Sequence, residues 1–454
     1  MNTSEAALEN VGEEQRLHGS VARVTAASFI GTVIEQYDFL LYGFVTGLVF
    51  NRLFFPNADP LVSTLSAFAT FALGFIARIL GGIVCGHYGD KIGRKAMLIL
   101  TLLMAGVSTT LMGLLPTYAA IGVWAPILLI TLRIIQGFGY GGEVAGAVVM
   151  TAEYVPTRKR GLYTSLILAT APAGILLATL AITVFANLPQ EQFLAWGWRV
   201  PFLLSTILVF VGFLIRSKIA ETPIFAKMQA QGAESRMPIL EVLRDNLAEV
   251  LLSGGIFFGL NTAFNTVLVF TPSYTTQQLK LPNSVVLTGL AIGASVALIC
   301  IPLAGAISDR LGRRPMLLVG AAFLSLYIFL FFWLIDSQRT GSIWLAFVGA
   351  FASLSVVYAP AAALLAEQFR TRVRYSGASL ASQVGAVFGG GLAPLIATAL
   401  LAWSGGASWV VAAYICGTLL ISFVSALLLK ETYQDDLAEQ ASELSRLVTD
   451  TSAG

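Results

Sequence analysis

Two stretches of this sequence are near copies of each other: GHYGDKIGRK (Gly86–Lys95) and GAISDRLGRR (Gly305–Arg314). Each is a short charged loop between two apolar runs of helical length. Their aspartates, Asp90 and Asp309, are 309 − 90 = 219 residues apart, which is close to half of the 454-residue chain. A loop repeated at this distance indicates that the chain consists of two related halves.

A second pair of matching loops supports a duplication. The first is EYVPTRKRG, from Glu153, and the second is EQFRTRVRY, from Glu367, an offset of 367 − 153 = 214 residues. At the same offset Arg160 aligns with Arg374. Two independent matches at nearly equal offsets are difficult to attribute to chance, so we expect both halves to share one architecture.

The composition is typical of a membrane protein. Hydrophobic residues make up 56% of the chain and charged residues only 11%, whereas soluble globular proteins contain about 25% charged residues. The mean hydropathy is +0.79. A formal net charge of +2 gives no general basic field, so we expect the lipid bilayer, and no nucleic acid, as a partner.

Twelve apolar runs are long enough to cross a bilayer, because a hydrocarbon core of about 30 Å requires about 20 helical residues. They lie near 21–50, 61–86, 96–115, 122–152, 161–186, 199–217, 247–271, 285–307, 316–335, 342–366, 375–402 and 408–429. Helices satisfy their own backbone hydrogen bonds in lipid. The sequence therefore predicts an all-α polytopic membrane protein with twelve transmembrane helices in two pseudo-symmetric six-helix bundles.

Lysine and arginine predict the orientation. In the loops and tails, 21 of these residues lie on the side of the N-terminus, and only Arg52, Arg199, Lys280 and Arg339 lie on the other side. By the positive-inside rule, both termini are expected to be cytoplasmic. The first twenty residues lack the pattern of a cleaved signal peptide, so the first spanning helix is expected to direct insertion into the cell (inner or plasma) membrane.

The charge pattern also predicts a division of the chain into five parts. These are a cytoplasmic tail at 1–20, a six-helix bundle at 21–217, a cytoplasmic linker at 218–246, a second six-helix bundle at 247–429 and a cytoplasmic tail at 430–454. The linker contains Gly232, Pro238 and scattered charges, which is typical of a boundary. We expect the chain to work as a monomer.

No cofactor or metal site is expected. His18 and His87 are the only histidines, and neither has another candidate ligand at metal-binding spacing. Cys85, Cys300 and Cys416 lie in or at the end of apolar runs, which makes a disulfide framework unlikely to be the basis of the fold. The sequence contains no constellation of nucleophile, base and metal, so no enzyme is expected.

Several motifs carry a family resemblance. The repeated loop has the form G-x-x-x-D-[KR]-x-G-R-[KR], and the apolar runs contain IEQYDFLLYG (Ile34–Gly43), RILGG (Arg78–Gly82), RIIQGFGYGGE (Arg133–Glu143) and WGWRVPF (Trp196–Phe202). With twelve helices in two halves, the chain resembles the major facilitator superfamily over essentially its whole length. It is most similar to the metabolite:proton symporter branch, and within it to the shikimate transporters. Gln36 stands where that branch usually has tryptophan.

The resemblance implies that the repeated loops act in gating. The residues concerned are Gly86, Asp90, Gly93, Arg94 and Lys95 in the first copy and Gly305, Asp309, Gly312, Arg313 and Arg314 in the second. Either aspartate can pair with arginine and with the positive N-terminal end of a neighbouring helix. Contacts made in only one conformation would bias the equilibrium between two conformations. The alternative is that these loops only anchor the chain at the cytoplasmic side.

Ionisable residues inside the apolar runs are the better functional candidates, because a charge at mid-membrane costs about 2.5–3.5 kcal/mol on insertion scales. Glu35 and Asp38 lie three residues apart in the first run, so they share one side of a helix with Tyr42. Glu143 lies in the fourth run. We predict that Glu35, Asp38 and Glu143 act in proton coupling.

Arginines in the second and fourth runs are candidate anion ligands, because arginine binds a carboxylate through two parallel hydrogen bonds. The predicted substrate-binding residues are Tyr42, Arg78, Arg133, Gln136 and Tyr140 in the first half and Asn261, Asn265 and Gln383 in the second. The amides suggest that the second half recognises substrate hydroxyl groups. The alternatives are that the arginines form buried ion pairs with Asp38 or Glu143, and that the amides only join helices.

These features favour a proton-coupled symporter that imports a small organic acid, such as shikimate or a related carboxylate, by alternating access. The expected partners are an organic anion and protons. One alternative is proton-coupled uptake of a zwitterionic osmolyte of the betaine or proline type, as some members of the resembled branch perform. An alternative of another class is a passive channel or a binding receptor.

Overall fold

The computed structural model describes residues 29–56, 59–92, 94–217, 238–369 and 373–434. For some residues in these ranges the structure describes the backbone but not the side chain: 86–92, 94–96, 98, 142, 143, 150, 153, 154, 216 and 238–240. All regular structure in the described ranges is helical. The predicted linker and both predicted tails fall partly or wholly outside these ranges, so the five-part division of the chain stays a prediction.

Six spanning helices precede residue 218. They are α1 (Phe29–Leu53), α2 (Pro60–Ile92), α3 (Arg94–Leu114), α4, α5 (Thr157–Ala186) and α6 (Gln190–Ile215). Helix α4 is interrupted, with Trp124–Gly139 and Glu143–Tyr154 joined by a 3-10 turn at Tyr140–Gly142. The glycines of this turn let the chain tighten locally without a steric penalty from side chains.

Six more helices follow residue 238. They are α7 (Leu247–Gln277), α8 (Asn283–Leu311), α9 (Arg313–Asp336), α10 (Thr340–Glu367), α11 (Arg374–Trp403) and α12 (Ser408–Leu428). A short helix at Pro238–Asp245 precedes α7. The prediction of an all-α protein with twelve spanning helices in two pseudo-symmetric bundles is confirmed, because each predicted apolar run corresponds to one of these helices.

The second copy of the repeated loop forms the turn between α8 and α9. Gly312 ends α8 with φ of 98°, a left-handed conformation that only glycine adopts without strain. A carboxylate oxygen of Glu431, from the segment after α12, lies 2.8 Å from where a Cβ of residue 312 would sit. Glycine is therefore required here both for the backbone angle and for space. We call this end of the protein the motif end and the opposite end the far end.

The two halves touch at both ends of the protein. At the motif end, α5 and α8 cross closely, and the carbonyl oxygen of Gly305 lies 2.6 Å from the position that a Cβ on Gly161 would take. At the far end, the Gln277 side chain donates a hydrogen bond to the carbonyl oxygen of Gly47 at 3.0 Å and accepts one from the Thr64 hydroxyl at 3.3 Å. The two halves are therefore in contact at both ends of the described structure.

Helices α2 and α4 approach each other without intervening side chains. A Cβ on Gly137 would overlap the backbone of Gly74, and a Cβ on Gly141 would overlap the backbone of Gly82. Small residues permit such contacts between membrane helices, where dispersion and weak polar contacts replace the hydrophobic effect. This crossing brings Arg78 of α2 beside Tyr140 of α4.

We expect Gly137→Ala to lower the free energy of unfolding by about 1–3 kcal/mol, because the added methyl group forces two helix backbones apart. The matched control is Gly417→Ala in α12, where no atom lies within 4 Å of the new Cβ. In thermal unfolding of the detergent-purified protein, the Tm of Gly137→Ala should fall, while that of the control stays equal or rises slightly. Equal Tm changes in the two variants would contradict this account of the crossing.

Candidate functional site

A central cavity of about 100 Å³ lies between the two halves. Helices α1, α2, α4 and α5 line one wall, and α7, α10 and α11 line the other. The polar lining residues are Gln36, Arg78 and Tyr140 on the first wall and Asn261, Asn265, Tyr358, Ser382 and Gln383 on the second. Among the described residues that line the cavity, Arg78 is the only ionisable acid or base other than tyrosines. The cavity is thus cationic on one wall and neutral on the other.

Arg78 is held by aromatic rings rather than by an acid. Its guanidinium carbon lies 3.8 Å from the ring centroid of Phe39, 4.6 Å from that of Phe75 and 5.0 Å from that of Tyr140. Cation–π contacts of this kind stabilise a desolvated cation. Among the described residues, Arg78 has no carboxylate within ion-pair distance, and its Nε has no hydrogen-bond partner. The cavity therefore contains a positive charge that is stabilised mainly by cation–π contacts with aromatic rings.

Arg133 lies beside the cavity and not in its lining. Its side chain is fully buried, packs against Gly74 and places its guanidinium carbon 4.0 Å from the ring centroid of Tyr42. Its Nη1 donates a hydrogen bond to Oε1 of Gln136 at 2.5 Å, and Nε2 of Gln136 donates one to the Thr109 hydroxyl at 2.7 Å. Arg133 is therefore part of a polar network within the first half.

Asp38 lies in the same network. It is 1% exposed, its Oδ1 accepts a hydrogen bond from the Ser205 hydroxyl at 2.5 Å, and the Thr109 hydroxyl lies beside it. No arginine or lysine of the described chain forms an ion pair with Asp38. The network thus joins α1, α3, α4 and α6 through hydroxyl and amide groups, and it holds one carboxylate away from bulk water.

The structure separates the predicted site residues into two groups. Arg78, Tyr140, Asn261, Asn265 and Gln383 line the cavity, whereas Glu35, Asp38, Tyr42, Arg133 and Gln136 are buried behind its first wall. Tyr140 connects the groups, because it lines the cavity and its hydroxyl donates a hydrogen bond to the backbone carbonyl of Glu35. The predicted proton-coupling residue Glu143 has its side chain outside the described residues.

Apart from Tyr140, the aromatic residues of the cavity were not predicted from the sequence. Phe39 and Phe75 hold Arg78, and Tyr358 of α10 stacks on Phe264 of α7 with ring centroids 6.0 Å apart and planes inclined by 12°. All four line the cavity. An aromatic residue in an apolar helix gives no signal that distinguishes a cavity wall from a packed core or a lipid-facing surface. For Tyr358, the hydroxyl group in an otherwise apolar run was the one available signal.

A second cluster joins the halves at the motif end. Asp309 of α8 accepts hydrogen bonds from the backbone N–H groups of Gly161, at 2.8 Å, and Leu162, at 3.0 Å, in the first α-helical turn of α5. This places a carboxylate at the positive end of the α5 dipole. Arg313 donates to Asp309 at 2.8 Å and to Glu367 at 3.3 Å, and Arg160 donates to Glu367 at 3.1 Å. We call Arg160, Asp309, Arg313 and Glu367 the gate cluster.

The segment after α12 completes this end of the protein. Thr432 donates a hydrogen bond from its hydroxyl to Oε2 of Glu367 at 2.9 Å. Glu431 accepts backbone hydrogen bonds from Arg313 and Arg314 at the start of α9, at 3.1 and 2.9 Å. The gate cluster is therefore fixed from the second half by α8, α9, α10 and this segment, and Arg160 enters it from the first half.

The first copy of the repeated loop cannot be compared with the second. The side chains of the predicted gating residues Gly86, Asp90, Gly93, Arg94 and Lys95 lie outside the described residues. In the second copy, Gly305 faces the α5 backbone, Gly312 forms the turn, and Arg314 donates a hydrogen bond to the carbonyl oxygen of Leu427.

We expect Glu367→Gln to open the motif end, because removing one member of a buried ion pair costs about 3–5 kcal/mol and the Arg160–Glu367 pair joins the two halves. The readout is maleimide labelling of a cysteine at Ala362, which lines the cavity, in a background without Cys85, Cys300 and Cys416. The labelling rate should rise about tenfold or more. The control is Asp245→Asn, which removes an exposed pair with Arg244 at 4.0 Å and should leave the rate unchanged. A labelling rate unaltered by Glu367→Gln would exclude a gating role for the cluster.

The fold and the two clusters are those of a transporter with two halves around a central cavity, and the comparison of sequences agrees. A profile of the Major Facilitator Superfamily matches residues 25–390 and 302–450. The chain therefore belongs to the major facilitator superfamily, and it is a multi-pass membrane transporter rather than an enzyme.

Named relatives cover most of the chain. The shikimate transporter of Escherichia coli strain K12 is 39% identical over 417 residues, which cover 90% of this chain and 94% of the relative. The glycine betaine/proline/ectoine/pipecolic acid transporter of Dickeya dadantii strain 3937 is 34% identical over 425 residues, which cover 91% of this chain and 84% of the relative. The prediction that the chain resembles shikimate transporters within this superfamily is confirmed.

A solved structure shows the same fold. The proton:xylose symporter XylE bound to 6-bromo-6-deoxy-D-glucose superposes with a TM-score of 0.76 at 16% identity, over 94% of this chain and 99% of that one. At this level of identity the likeness concerns the fold, and the cargo has to be argued from the cavity itself.

Proposed function

We propose that this protein is a proton-coupled symporter that imports a small organic acid, shikimate or a related carboxylate, by alternating access. The observation that carries the proposal is Arg78, a cation in the cavity between the halves that forms no ion pair with a carboxylate of the described residues. A substrate carboxylate would supply the missing negative charge and accept hydrogen bonds from the N–H groups of Arg78 that the rings leave free. The similarity to a shikimate transporter supports the same class of cargo.

Asp38 is the carboxylate that we assign to proton transfer. It sits among the hydroxyl groups of Ser205 and Thr109 and is fully enclosed. A neutral carboxylic acid fits such a site better than an unpaired carboxylate does, because desolvation disfavours the charged form. Helix α1 carries both Asp38 and Phe39, whose ring contacts the Arg78 guanidinium. A change of charge on Asp38 can therefore alter the substrate site through one rigid helix.

Alternating access follows from the closed contacts at the two ends. Opening the far end requires loss of the hydrogen bonds of Gln277 with Gly47 and Thr64, while opening the motif end requires loss of the gate cluster. Substrate and proton bound together would favour the closed state by neutralising Arg78 and Asp38. The two halves would then separate at one end or the other as rigid bodies around the central site.

A second candidate is proton-coupled uptake of a zwitterionic osmolyte, which the 34% identity to a betaine and proline transporter favours. A zwitterion also carries a carboxylate that Arg78 could bind. The two candidates differ in what the substrate presents to the second wall of the cavity. The test measures uptake of radiolabelled shikimate and of glycine betaine by proteoliposomes, each with and without an inward proton gradient. The solute that accumulates distinguishes the two candidate functions. Accumulation itself excludes a passive channel, which cannot concentrate its solute.

We expect Asp38→Asn to abolish uphill uptake of shikimate driven by a proton gradient, since the amide cannot exchange a proton. Exchange of internal for external shikimate should persist, because this reaction needs no net proton movement. The matched control is Asp59→Asn, an exposed residue at the start of α2 whose Oδ1 accepts a hydrogen bond from the Leu61 N–H, a role that asparagine can retain. Normal uphill uptake by the folded Asp38→Asn protein would remove Asp38 from the coupling mechanism.

We expect Arg78→Gln to weaken shikimate binding at least about 30-fold, because a charge-assisted bidentate contact contributes about 2 kcal/mol or more. Arg78→Lys should recover part of the loss, since lysine keeps the charge but not the planar fork. The control is Arg52→Gln, which removes the same charge from an exposed position. Isothermal titration of the purified variants measures these affinities, and an unchanged Kd for Arg78→Gln would place the anion elsewhere.

A further inference from the structure

We propose that the second wall of the cavity selects substrates that donate hydrogen bonds from neutral groups, so that a hydroxylated carboxylate binds with its carboxylate at Arg78 and its hydroxyl groups at Asn261, Asn265 and Gln383. This inference rests on the proposed function and specifies its substrate class. It concerns the direction of the hydrogen bonds at this wall, which follows from how each amide is already engaged within the protein.

Each asparagine uses one of the two N–H groups of its amide to bond its own helix. Nδ2 of Asn261 donates a hydrogen bond to the carbonyl oxygen of Phe257 at 2.8 Å, and Nδ2 of Asn265 donates one to the carbonyl oxygen of Asn261 at 3.0 Å. The opposite orientation of either amide would set two carbonyl oxygens against each other, so these contacts fix which atom is oxygen. Oδ1 of each asparagine is left as an acceptor with no donor among the described residues.

Gln383 shows the same pattern from another helix. Its Nε2 donates a hydrogen bond to the carbonyl oxygen of Gly141 at 3.0 Å, which joins α11 to the turn in α4. Its Oε1 is buried and has no donor within the described chain. A buried carbonyl oxygen without a donor is energetically unfavourable. A substrate hydroxyl group that points to this atom would remove the penalty, and an apolar group would preserve it.

The two walls therefore have opposite polarity. Arg78 presents a cation and N–H groups on the first wall, while Asn261, Asn265 and Gln383 present acceptor oxygens on the second. A molecule with a carboxylate at one end and hydroxyl groups at the other pairs both ends with the protein when its carboxylate lies at Arg78. Reversed, it would leave Arg78 without a counter-charge and place the carboxylate beside the amide oxygens, where its donors would be the second amide N–H groups and the Tyr358 hydroxyl.

Cationic groups are disfavoured at the second wall. None of the described residues that line the cavity is acidic, so an ammonium group there would be buried without a counter-charge. A quaternary ammonium has no hydrogen to donate to the amide oxygens. On the first wall, Arg78 covers the rings of Phe39, Phe75 and Tyr140, which would otherwise cage such a cation. On the second wall, Phe264 and Tyr358 stack on each other, so each ring offers only one free face. The site thus distinguishes a hydroxy acid from a methylated zwitterion with the same carboxylate.

The test compares three carboxylates on the full-length purified protein by isothermal titration. Shikimate has a ring, a carboxylate and three hydroxyl groups; cyclohex-1-ene-1-carboxylate has the same ring and carboxylate without hydroxyl groups; glycine betaine has a carboxylate and a quaternary ammonium. We expect shikimate to bind at least about tenfold more tightly than cyclohexene carboxylate, and glycine betaine to bind more weakly than either.

Variants assign the discrimination to the amides. Asn265→Leu and Gln383→Leu remove an acceptor at similar volume and should lower the ratio of the two ring-acid affinities about tenfold, while the affinity for cyclohexene carboxylate stays the same or rises. That hydroxyl-free acid reports folding and the Arg78 contact in the same sample. The control is Ser325→Ala in α9, a buried hydroxyl that donates to the Ala321 carbonyl outside the cavity and should leave the ratio unchanged.

Each outcome has a distinct meaning. Equal affinities for the two ring acids, or a ratio unaltered in both leucine variants, overturn the inference and leave the proposed carboxylate transport intact. Tighter binding of glycine betaine overturns it in favour of osmolyte uptake. Binding of none of the three carboxylates overturns the proposed function and this inference together.

Discussion

Arg78 places a positive charge in the interior of a membrane protein, where aromatic rings surround it and no carboxylate of the described residues forms an ion pair with it. The rings of Phe39, Phe75 and Tyr140 come from α1, α2 and α4, so this contact ties together the three helices that build the first wall of the cavity. Cation–π contacts offset part of the cost of desolvation and leave the outer N–H groups available. The cavity, the chemistry of its cargo and the orientation in which the cargo would bind all depend on this arrangement.

The two ends of the protein are closed by different physical means. At the motif end, Arg160, Arg313, Asp309 and Glu367 combine full charges with two backbone N–H groups of α5. At the far end, Gln277 makes neutral hydrogen bonds of 3.0 and 3.3 Å. Hydrogen bonds between charged partners are stronger than neutral ones, so this closed conformation is held more firmly at the motif end.

The proposed proton site and the proposed substrate site are separate, but one helix joins them. Asp38 lies in a network of hydroxyl and amide groups that reaches Arg133 through Thr109 and Gln136. Phe39, the next residue of α1, contacts the guanidinium groups of both Arg78 and Arg133. A rigid helix with a carboxylate on one face and a cavity wall on the adjacent face can couple the two sites without a direct bond between proton carrier and substrate.

The sequence by itself determined the twelve helices, because a helix satisfies its own backbone hydrogen bonds in lipid and each apolar run is long enough to cross the bilayer. The repeated loops indicated two related halves. The sequence also indicated the polar residues worth considering. Only the tertiary structure decided which of them face the cavity: Arg78 and Arg133 are equivalent in sequence, yet Gly74 and Gln136 hold Arg133 inside the first half while α2 turns Arg78 toward α7 and α11. That choice depends on helix rotation and on contacts between distant segments, which local sequence periodicity does not contain.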